Sequence, residues 1–230
     1  MNFRSSSMAQ HSPPLTGITV IALEHAIAAP LATRQLAELG ARVIKIERTD
    51  GGDFARHYDS RARGLSSHFV WTNRSKESLT LDLKQAAGLN VLNTLLSTAD
   101  VFIQNLAPGA ATKMGLDKQT LAVRNPKLIV CDISGYGSSG PHSSRKAYDL
   151  LIQAEAGFLG ITGNQAQGAK SGISIADIAA GTQAHAAILA ALIQRGKTGL
   201  GSHIEISMLE AMTEWMGYPL YYSLDGSAQP

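Results

Sequence analysis

The stretch ITVIALEHAIAAPLATRQLAELGARVIKIE, residues 18–47, decides the fold of this chain. Its first part, Ile18–Leu23, is a short apolar run typical of a buried strand. Pro30 stands where a helix can begin, and Gly40 is typical of the residue that ends one. The next predicted strand, Arg42–Glu47 (RVIKIE), follows. The stretch therefore predicts a strand–helix–strand unit with parallel strands and a right-handed crossover.

The same order of strand and helix continues as far as residue 133. It predicts strands at Leu79–Leu83, Val101–Gln104 and Leu128–Ile133, and helices at Lys84–Ala99, Pro108–Met114 and Lys118–Arg124. Such repetition predicts an α/β fold with a Rossmann-like, doubly wound, mostly parallel sheet. The region from Thr49 to Ser78 lacks this periodicity, and we expect it to be an extended active-site or interface loop.

Beyond residue 133 the pattern changes. Two stretches rich in turn-forming residues, 134–141 (SGYGSSGP) and 160–172, are predicted to be loops. The remaining periodic stretches predict helices at Tyr148–Leu159, Asp177–Gly196 and Met208–Gly217, and a strand at His203–Ile206. The helix that begins at Asp177 is rich in alanine, so a neighbouring helix can pack closely against it.

Composition and charge exclude several classes of protein. The chain has 230 residues, of which 44% are hydrophobic and 17% charged, as expected of a globular protein rather than a disordered one. A net charge of +2 is too small for a nucleic-acid-binding face, but it suits a small anionic ligand. The single cysteine, Cys131, excludes an intramolecular disulfide and indicates a cytoplasmic protein. No signal peptide or membrane-spanning run is predicted.

Three kinds of site are not expected. The first strand-to-helix turn, Glu24–Pro30, contains no glycine, so the chain lacks the glycine motif with which Rossmann folds bind NAD. The histidines do not pair at metal-ligand spacing with another histidine or a cysteine, so no metal is predicted. The chain has no G-x-S-x-G motif of a serine hydrolase, and Cys131 lies in an apolar strand, as an inert core thiol does.

Four separated segments occur in a characteristic order and spacing. They are residues 27–48, 73–84, 104–116 with 134–141, and 146–192. Together they resemble the family III CoA-transferases, also called the CaiB/BaiF family, over nearly the whole chain from Leu15 to Tyr222. The resemblance implies an enzyme that moves CoA between an acyl-CoA and a small carboxylic acid.

The resemblance also implies a division of the chain. Residues 15–222 correspond to the N-terminal part of the large, Rossmann-like domain, and residues 223–230 to the start of a crossover to a small domain that this chain lacks. Residues 1–14 are polar, end in Pro13-Pro14 and are expected to form a flexible leader. Members of the family are interlocked homodimers, so a homodimer is expected here.

Two residues are implied to be catalytic. Asp177, in ISIADIAAG, matches the aspartate that forms an acyl anhydride and then a CoA thioester. By itself, an aspartate at a helix start is well explained as an N-cap, and the helix dipole would keep it ionised. Tyr148, in KAYD, matches a position at which related acyl-CoA racemases carry histidine, so the tyrosine favours a transferase.

Other positions resemble those that contact CoA, the only cofactor implied. They are His25, Ala26, Arg48, Leu81, Lys84, Asn105, Lys113, Met114 and Lys146. Cationic side chains suit the phosphates of CoA, and Arg48 directly follows a strand. Ile27 replaces a glutamine of the formyl-CoA transferases, so formate and oxalate are not the expected acids. The segment YPLYYSLDG resembles that of relatives acting on small dicarboxylates.

Two other functions remain open from the sequence. One is an acyl-CoA racemase or isomerase of the same fold, which would need an acid–base pair around Asp177. The other is a truncated, non-catalytic CoA-binding module, because members of the family have a glycine-rich loop over the nucleophile and a small domain that this chain lacks.

Overall fold

A six-stranded parallel sheet forms the centre of the computed structural model, which describes residues 12–164 and 166–226. The strands are β1 (Thr19–Leu23), β2 (Arg42–Glu47), β3 (Glu77–Thr80), β4 (Val101–Gln104), β5 (Ile129–Ser134), the hairpin strands β6 (Gly163–Asn164) and β7 (Gln167–Gly168), and β8 (His203–Ser207). The order in the sheet is β3-β2-β1-β4-β5-β8, and β6 pairs antiparallel with β7 outside it. The predicted Rossmann-like, doubly wound fold is confirmed.

Helices cover both faces of the sheet. They are α1 (Ala28–Glu38), α2 (Ser67–Asn73), α3 (Ala86–Thr98), α4 (Ala110–Lys113), α5 (Lys118–Arg124), α6 (Asp149–Glu155), α7 (Phe158–Ile161), α8 (Ile175–Thr198), α9 (Met208–Trp215) and α10 (Gly217–Tyr222), with a 3-10 turn at Phe54–His57. Side chains alternate along β1: Val20 and Ala22 pack beneath α1 and α8, and Ile21 and Leu23 pack on the opposite face, beneath α3. A strand buried on both faces is a continuous apolar run, and this is why β1 was predictable.

Helix α8 packs tightly against α1 through small side chains. Ala176, Ala180 and Ala184 of α8 are fully buried. At Gly181 a β-carbon would lie 2.6 Å from the carbonyl oxygen of Ala28 and 3.2 Å from the β-carbon of Leu31. The absence of a side chain at Gly181 therefore sets how closely the two helices approach.

The sequence prediction found no apolar run long enough to span a bilayer, yet by length and composition alone α8 could cross a membrane. This is weak support for a membrane span, because a core helix passes the same test. The fully buried Ala179, Ala184 and Ile188 pack in the core of the sheet fold.

Several predicted elements differ from those observed. Strand β3 begins at Glu77 rather than Leu79, because it is a mostly exposed edge strand without an apolar run. The expected loop from Thr49 to Ser78 contains α2, which is capped by Ser66. Gly157, with a φ of 80°, divides the single helix predicted for Tyr148–Leu159 into α6 and α7.

The remaining differences lie in the second half of the chain. The hairpin of β6 and β7 occupies part of the predicted loop 160–172, and α10 follows α9 without having been predicted. Helix α8 begins at Ile175, two residues before the predicted start. Most of the predicted leader 1–14 lies outside the described residues, as do residues 227–230. The division of the chain into domains stays a prediction.

The packing of α8 predicts opposite effects for two alanine substitutions. Gly181→Ala places a methyl group against the Ala28 carbonyl, so we expect a loss of about 1–3 kcal/mol in the free energy of unfolding. Gly196→Ala is the matched control, because a β-carbon there meets no described atom within 4 Å. It should gain up to about 1 kcal/mol from helix propensity. Urea denaturation of both variants measures the difference, and equal stabilities would contradict the packing.

Candidate active site

An open cleft of about 940 Å³ lies at the carboxyl edge of the parallel sheet. It is bordered by the residues that follow β1, β4 and β5, among them His25, Asn105 and Gly135. Strand order reverses between β1 and β4, and ligands of open α/β sheets bind at such a switch point. The volume is within the range of small-molecule sites. The position of this cleft makes it the candidate active site.

The turn after β1 is tied to β4 at the floor of the cleft. The backbone N–H of His25 donates to Oδ1 of Asn105 at 3.0 Å, and Nδ2 of Asn105 donates to the His25 carbonyl at 2.9 Å. Ala26 has a φ of 62°, a left-handed conformation that costs a non-glycine residue about 1–2 kcal/mol. Its N–H donates to Oδ1 of Asp53 at 3.1 Å. The side chains of Asn105 and Asp53 thus hold the strained backbone that connects β1 to α1.

A cluster of buried charged side chains packs next to this turn. Nζ of Lys45 lies 2.6 Å from Oδ2 of Asp53, and Nζ of Lys76 lies 2.6 Å from Oε1 of Glu24. Lys76 also donates to the Pro30 carbonyl at 2.9 Å, which anchors the first turn of α1. Burial lowers the pKa of Lys76 to about 8, and the negative charge of Glu24 opposes that effect. Each of these buried charges thus has an oppositely charged partner, as buried ionic groups require.

Asp177 lies in the first turn of α8 and lines the cleft. It is not the N-cap that its place in the sequence could have made it, because Ser174 occupies that position. The capping acceptor comes from α6: Oδ1 of Asp149 accepts the backbone N–H of Ala176 at 2.8 Å and that of Asp177 at 3.3 Å. The side chain of Asp177 is therefore left to face the cleft.

The carboxyl group of Asp177 has a pKa raised to about 7. Burial is the main cause and the negative charge of Asp149 the second, while a hydrogen bond from the backbone N–H of Ala28 acts in the opposite direction. The expectation that the helix dipole would keep this group fully ionised is wrong. Loss of water and a neighbouring carboxylate outweigh the dipole, so near neutral pH the protonated and ionised forms coexist.

Tyrosine and other aromatic side chains line the cleft near Asp177. Tyr148 precedes α6 and is 69% exposed, so its ring is open to the cleft. Burial, with smaller contributions from the charges of Asp53 and Asp177, raises the pKa of Tyr58 to about 12. Tyr58 thus keeps its proton and can donate a hydrogen bond near the nucleophile. The ring of Phe54 lies 4.9 Å from that of His25 and 5.8 Å from that of Tyr58.

The structure places six of the residues selected from the sequence around one cleft. These are His25, Ala26, Asn105, Lys146, Tyr148 and Asp177. Burial lowers the pKa of His25, and the negative charge of Asp53 opposes that effect. The exposed side chain of Lys146 adds a positive charge at the rim.

The other five selected residues do not line the cleft. Arg48 directly follows β2 and Leu81 directly follows β3, so both lie at the carboxyl edge that also carries Asn105. Leu81 and Met114 pack against the core on the α3 side of the sheet. Lys84 and Lys113 are exposed, and Arg48 donates to the carbonyl of Gly52 at 3.1 Å. These positions extend along the edge beyond the cleft.

Sequence reasoning missed residues that the structure brings to the nucleophile. Asp149 directly follows Tyr148 in the KAYD motif, which was the one available signal. Phe54, Tyr58 and Trp71 come from the region that was predicted to be an active-site loop, without individual residues. No group of three or more metal-binding side chains occurs within 12–164 or 166–226.

Comparison with known proteins identifies the family. The model for CoA-transferase family III matches residues 15–230. A solved CaiB/BaiF family protein from Brucella suis superimposes with a TM-score of 0.89 and 34% identity, over 96% of this chain and 60% of its own. The chain belongs to CoA-transferase family III, as its sequence motifs predicted.

Curated relatives include transferases acting on dicarboxylates. A succinate–glutarate CoA-transferase of Agrobacterium fabrum is 39% identical over 216 residues, which cover 90% of this chain and 54% of the relative. The succinyl-CoA:glutarate CoA-transferase of Homo sapiens is 35% identical over 217 residues, covering 94% of this chain and 50% of the relative. The chain spans about half the length of these curated relatives.

The raised pKa of Asp177 predicts a specific dependence of stability on pH. Between about pH 4 and pH 7 the folded protein holds a proton on Asp177 that the unfolded chain releases, so this contribution to stability is lost as the pH rises. The stability margin of Asp177→Asn over the wild type should therefore grow as the pH rises across that range, and it should level off above pH 7. A shift of about three pKa units limits this margin to about 4 kcal/mol, and screening by solvent in the cleft makes it smaller.

Urea denaturation of wild type and Asp177→Asn from pH 4 to pH 8 measures this margin. A margin that stays constant over the range would show that Asp177 titrates alike in the folded and unfolded states.

Proposed function

We propose that the protein transfers CoA from a short acyl-CoA to a free carboxylic acid, with Asp177 as the covalent nucleophile. One observation carries the proposal: the Asp177 carboxyl group faces an open cleft at the switch point of the sheet. Family membership supplies the reaction class. Tyr148, whose ring lines the same cleft, is the second residue proposed to act on the substrate.

The proposed reaction has two halves. The Asp177 carboxylate attacks the thioester carbon of the donor, the carbon–sulfur bond breaks, and an acyl-aspartyl anhydride and CoA thiolate form. The thiolate then attacks the Asp177 carbonyl, which gives an aspartyl-CoA thioester and releases the donor acid. In the second half the acceptor carboxylate attacks that thioester, its carbon–sulfur bond breaks, and a second anhydride and CoA thiolate form. The thiolate attacks the acceptor's acyl carbon, which gives the new acyl-CoA and the free Asp177 carboxylate. Thioester is exchanged for thioester, so little net energy is needed.

Two donors near Asp177 suit this chemistry. The backbone N–H of Ala28 lowers the pKa of the Asp177 carboxyl group and so interacts favourably with its ionised form. As Asp177 is acylated its charge is lost, and this N–H can then stabilise an oxyanion that develops beside it. Tyr58 keeps its proton, because its pKa is raised to about 12, and it supplies a second donor in the cleft.

We propose small dicarboxylic acids as the acceptors. Both curated relatives described above act on such acids by name, succinate and glutarate. Three cationic side chains, Arg145, Lys146 and Lys170, line the cleft that holds Asp177. A dicarboxylate that presents one carboxylate to Asp177 has a second one for such a cation.

For CoA itself we propose the carboxyl edge of the sheet. Arg48 and Leu81 follow β2 and β3 on that edge, next to the His25–Ala26 turn. Lys84 and Lys113 are exposed and free to meet phosphate oxygens. The nucleotide would then run outward from the cleft while the thioester stays at Asp177.

The assembly and location are also proposals. Exposed apolar side chains cluster on α9 and α10, among them Trp215, Tyr218 and Tyr221. Such a surface suits the homodimer expected of this family. The single, buried Cys131 suits a reducing, cytoplasmic setting.

One observation favours a second function, an acyl-CoA racemase or isomerase. A carboxyl group with a pKa of about 7 can both take and give a proton at neutral pH, and Asp177 has such a pKa. Tyr148 stands where racemases of this fold have histidine, which favours transfer. Uptake of deuterium from solvent at the α-carbon of the acyl-CoA, without exchange of CoA, would support the second function instead.

The covalent step predicts a trapped aspartate. Incubation with succinyl-CoA and hydroxylamine should convert Asp177 to its hydroxamate, which mass spectrometry detects on the peptide that contains it. Asp177→Asn should lower transfer by about 1,000-fold or more, because the nucleophile is lost. Glu214→Gln, an exposed carboxylate on α9 outside the cleft, is the control and should retain activity.

The assay is run on the 230-residue chain and, where the reading frame continues past Pro230, on the longer product. Unmodified Asp177 together with full activity of Asp177→Asn would refute the proposal. Binding of CoA by calorimetry without transfer by either product would indicate a CoA-binding module.

A further inference from the structure

We propose that Asp149 is a positioning residue, which holds the first turn of α8 so that Asp177 faces the cleft and which links Asp177 to the loop lining that cleft. The inference rests on the proposed function of Asp177. It starts from a contact that the sequence alone did not indicate: a carboxylate from α6 caps a different helix.

Asp149, a residue of α6, holds the start of α8 through hydrogen bonds to its backbone. Its Oδ1 accepts the N–H groups of Ala176 and Asp177 at 2.8 and 3.3 Å. In the described chain the side chain of Ser174, at the N-cap position, makes no capping bond. Asp149 therefore takes the place of a local cap, and a helix start held in this way depends on the position of α6.

A chain of hydrogen bonds continues from Asp149 to the rim of the cleft. Its Oδ2 accepts from Nε2 of Gln153 at 2.5 Å, and Oε1 of Gln153 accepts the N–H of Ser171 at 2.9 Å. Gln153 is only 1% exposed, and both bonds are partly buried. Ser171 and the neighbouring Lys170 line the cleft. A change in the position of that loop is thus transmitted through these two bonds to the helix turn that carries Asp177.

The charge of Asp149 is part of this role. Two carboxylates that meet at one helix start disfavour the ionisation of each other. After burial, the charge of Asp149 is the largest cause of the raised pKa of Asp177. The other titratable groups lining the cleft are His25, Tyr58, His68, Arg145, Lys146, Tyr148 and Lys170. Among the described residues only Asp149 bonds to the backbone of Asp177 itself through a charged side chain.

Two substitutions separate charge from connection. Asp149→Asn keeps an oxygen for the N–H groups of α8 but removes the charge, and its amide nitrogen meets the Gln153 amide as a second donor. Gln153→Met cuts the link to Ser171 and leaves the charge of Asp149 in place. Glu155→Gln is the matched control, an acidic residue at the end of the same helix that pairs with Arg145 at 3.4 Å.

The readout is the titration of the Asp177 carboxyl carbon by ¹³C NMR, with Asp177→Asn used to assign the signal. We expect Asp149→Asn to lower the titration midpoint by about one pH unit or more, as removal of a nearby like charge does. Glu155→Gln and Gln153→Met should leave the midpoint within a few tenths of a pH unit. Gln153→Met should instead lower kcat for CoA transfer several-fold, with the acid limb of its pH profile unchanged.

An unchanged midpoint in Asp149→Asn would overturn the proposal, as would wild-type kcat in Gln153→Met. If Asp149→Asn does not fold, Asp149→Glu replaces it: the charge is kept but displaced, so kcat should fall while the midpoint stays near that of the wild type. A midpoint in Asp149→Glu that drops towards 4 would then contradict the proposal. The NMR titration needs no turnover, so it can succeed or fail whether or not Asp177 is trapped by hydroxylamine.

Discussion

The close approach of α1 and α8 is the contact on which the site depends. Gly181 lets the two helices meet where any side chain would collide with the Ala28 carbonyl. Ala28, the first residue of α1, contributes a backbone N–H that lowers the pKa of the Asp177 carboxyl group. The proposed nucleophile thus lies in the cleft at the switch point between β1 and β4, where the strand order reverses.

The second constraint is electrostatic. Burial and the charge of Asp149 raise the pKa of Asp177, and the backbone N–H of Ala28 lowers it. A carboxylate that water solvates fully is a poor nucleophile, and one that is fully protonated is not a nucleophile at all. The position of Asp149 leaves the group between these states near neutral pH. The turn of His25 and Ala26, which also lines the cleft, is held in its strained conformation by hydrogen bonds to Asn105 and Asp53.

Much of the fold could be predicted from the sequence because the central strands are buried on both faces. β1 and β4 stand out as apolar runs and β2 carries three aliphatic side chains, whereas the exposed edge strand β3 carries only one. The family and Asp177 came from the order of motifs. The cap from Asp149 could not be predicted, since it joins residues 27 and 28 positions apart on different helices. The expected direction of the Asp177 pKa shift was also wrong, because the sequence shows only the local helix dipole. Burial and the charge of Asp149, which raise this pKa, arise from tertiary packing.

The central claim is that Asp177 exchanges an oxygen atom with the acids during CoA transfer. In the proposed reaction the acceptor leaves one of its carboxylate oxygens on Asp177 when it departs as acyl-CoA. Turnover with succinyl-CoA and glutarate labelled with ¹⁸O in its carboxylates should therefore place ¹⁸O in the peptide that contains Asp177, as mass spectrometry would show. Transfer of CoA to labelled glutarate with no ¹⁸O in that peptide would contradict the account.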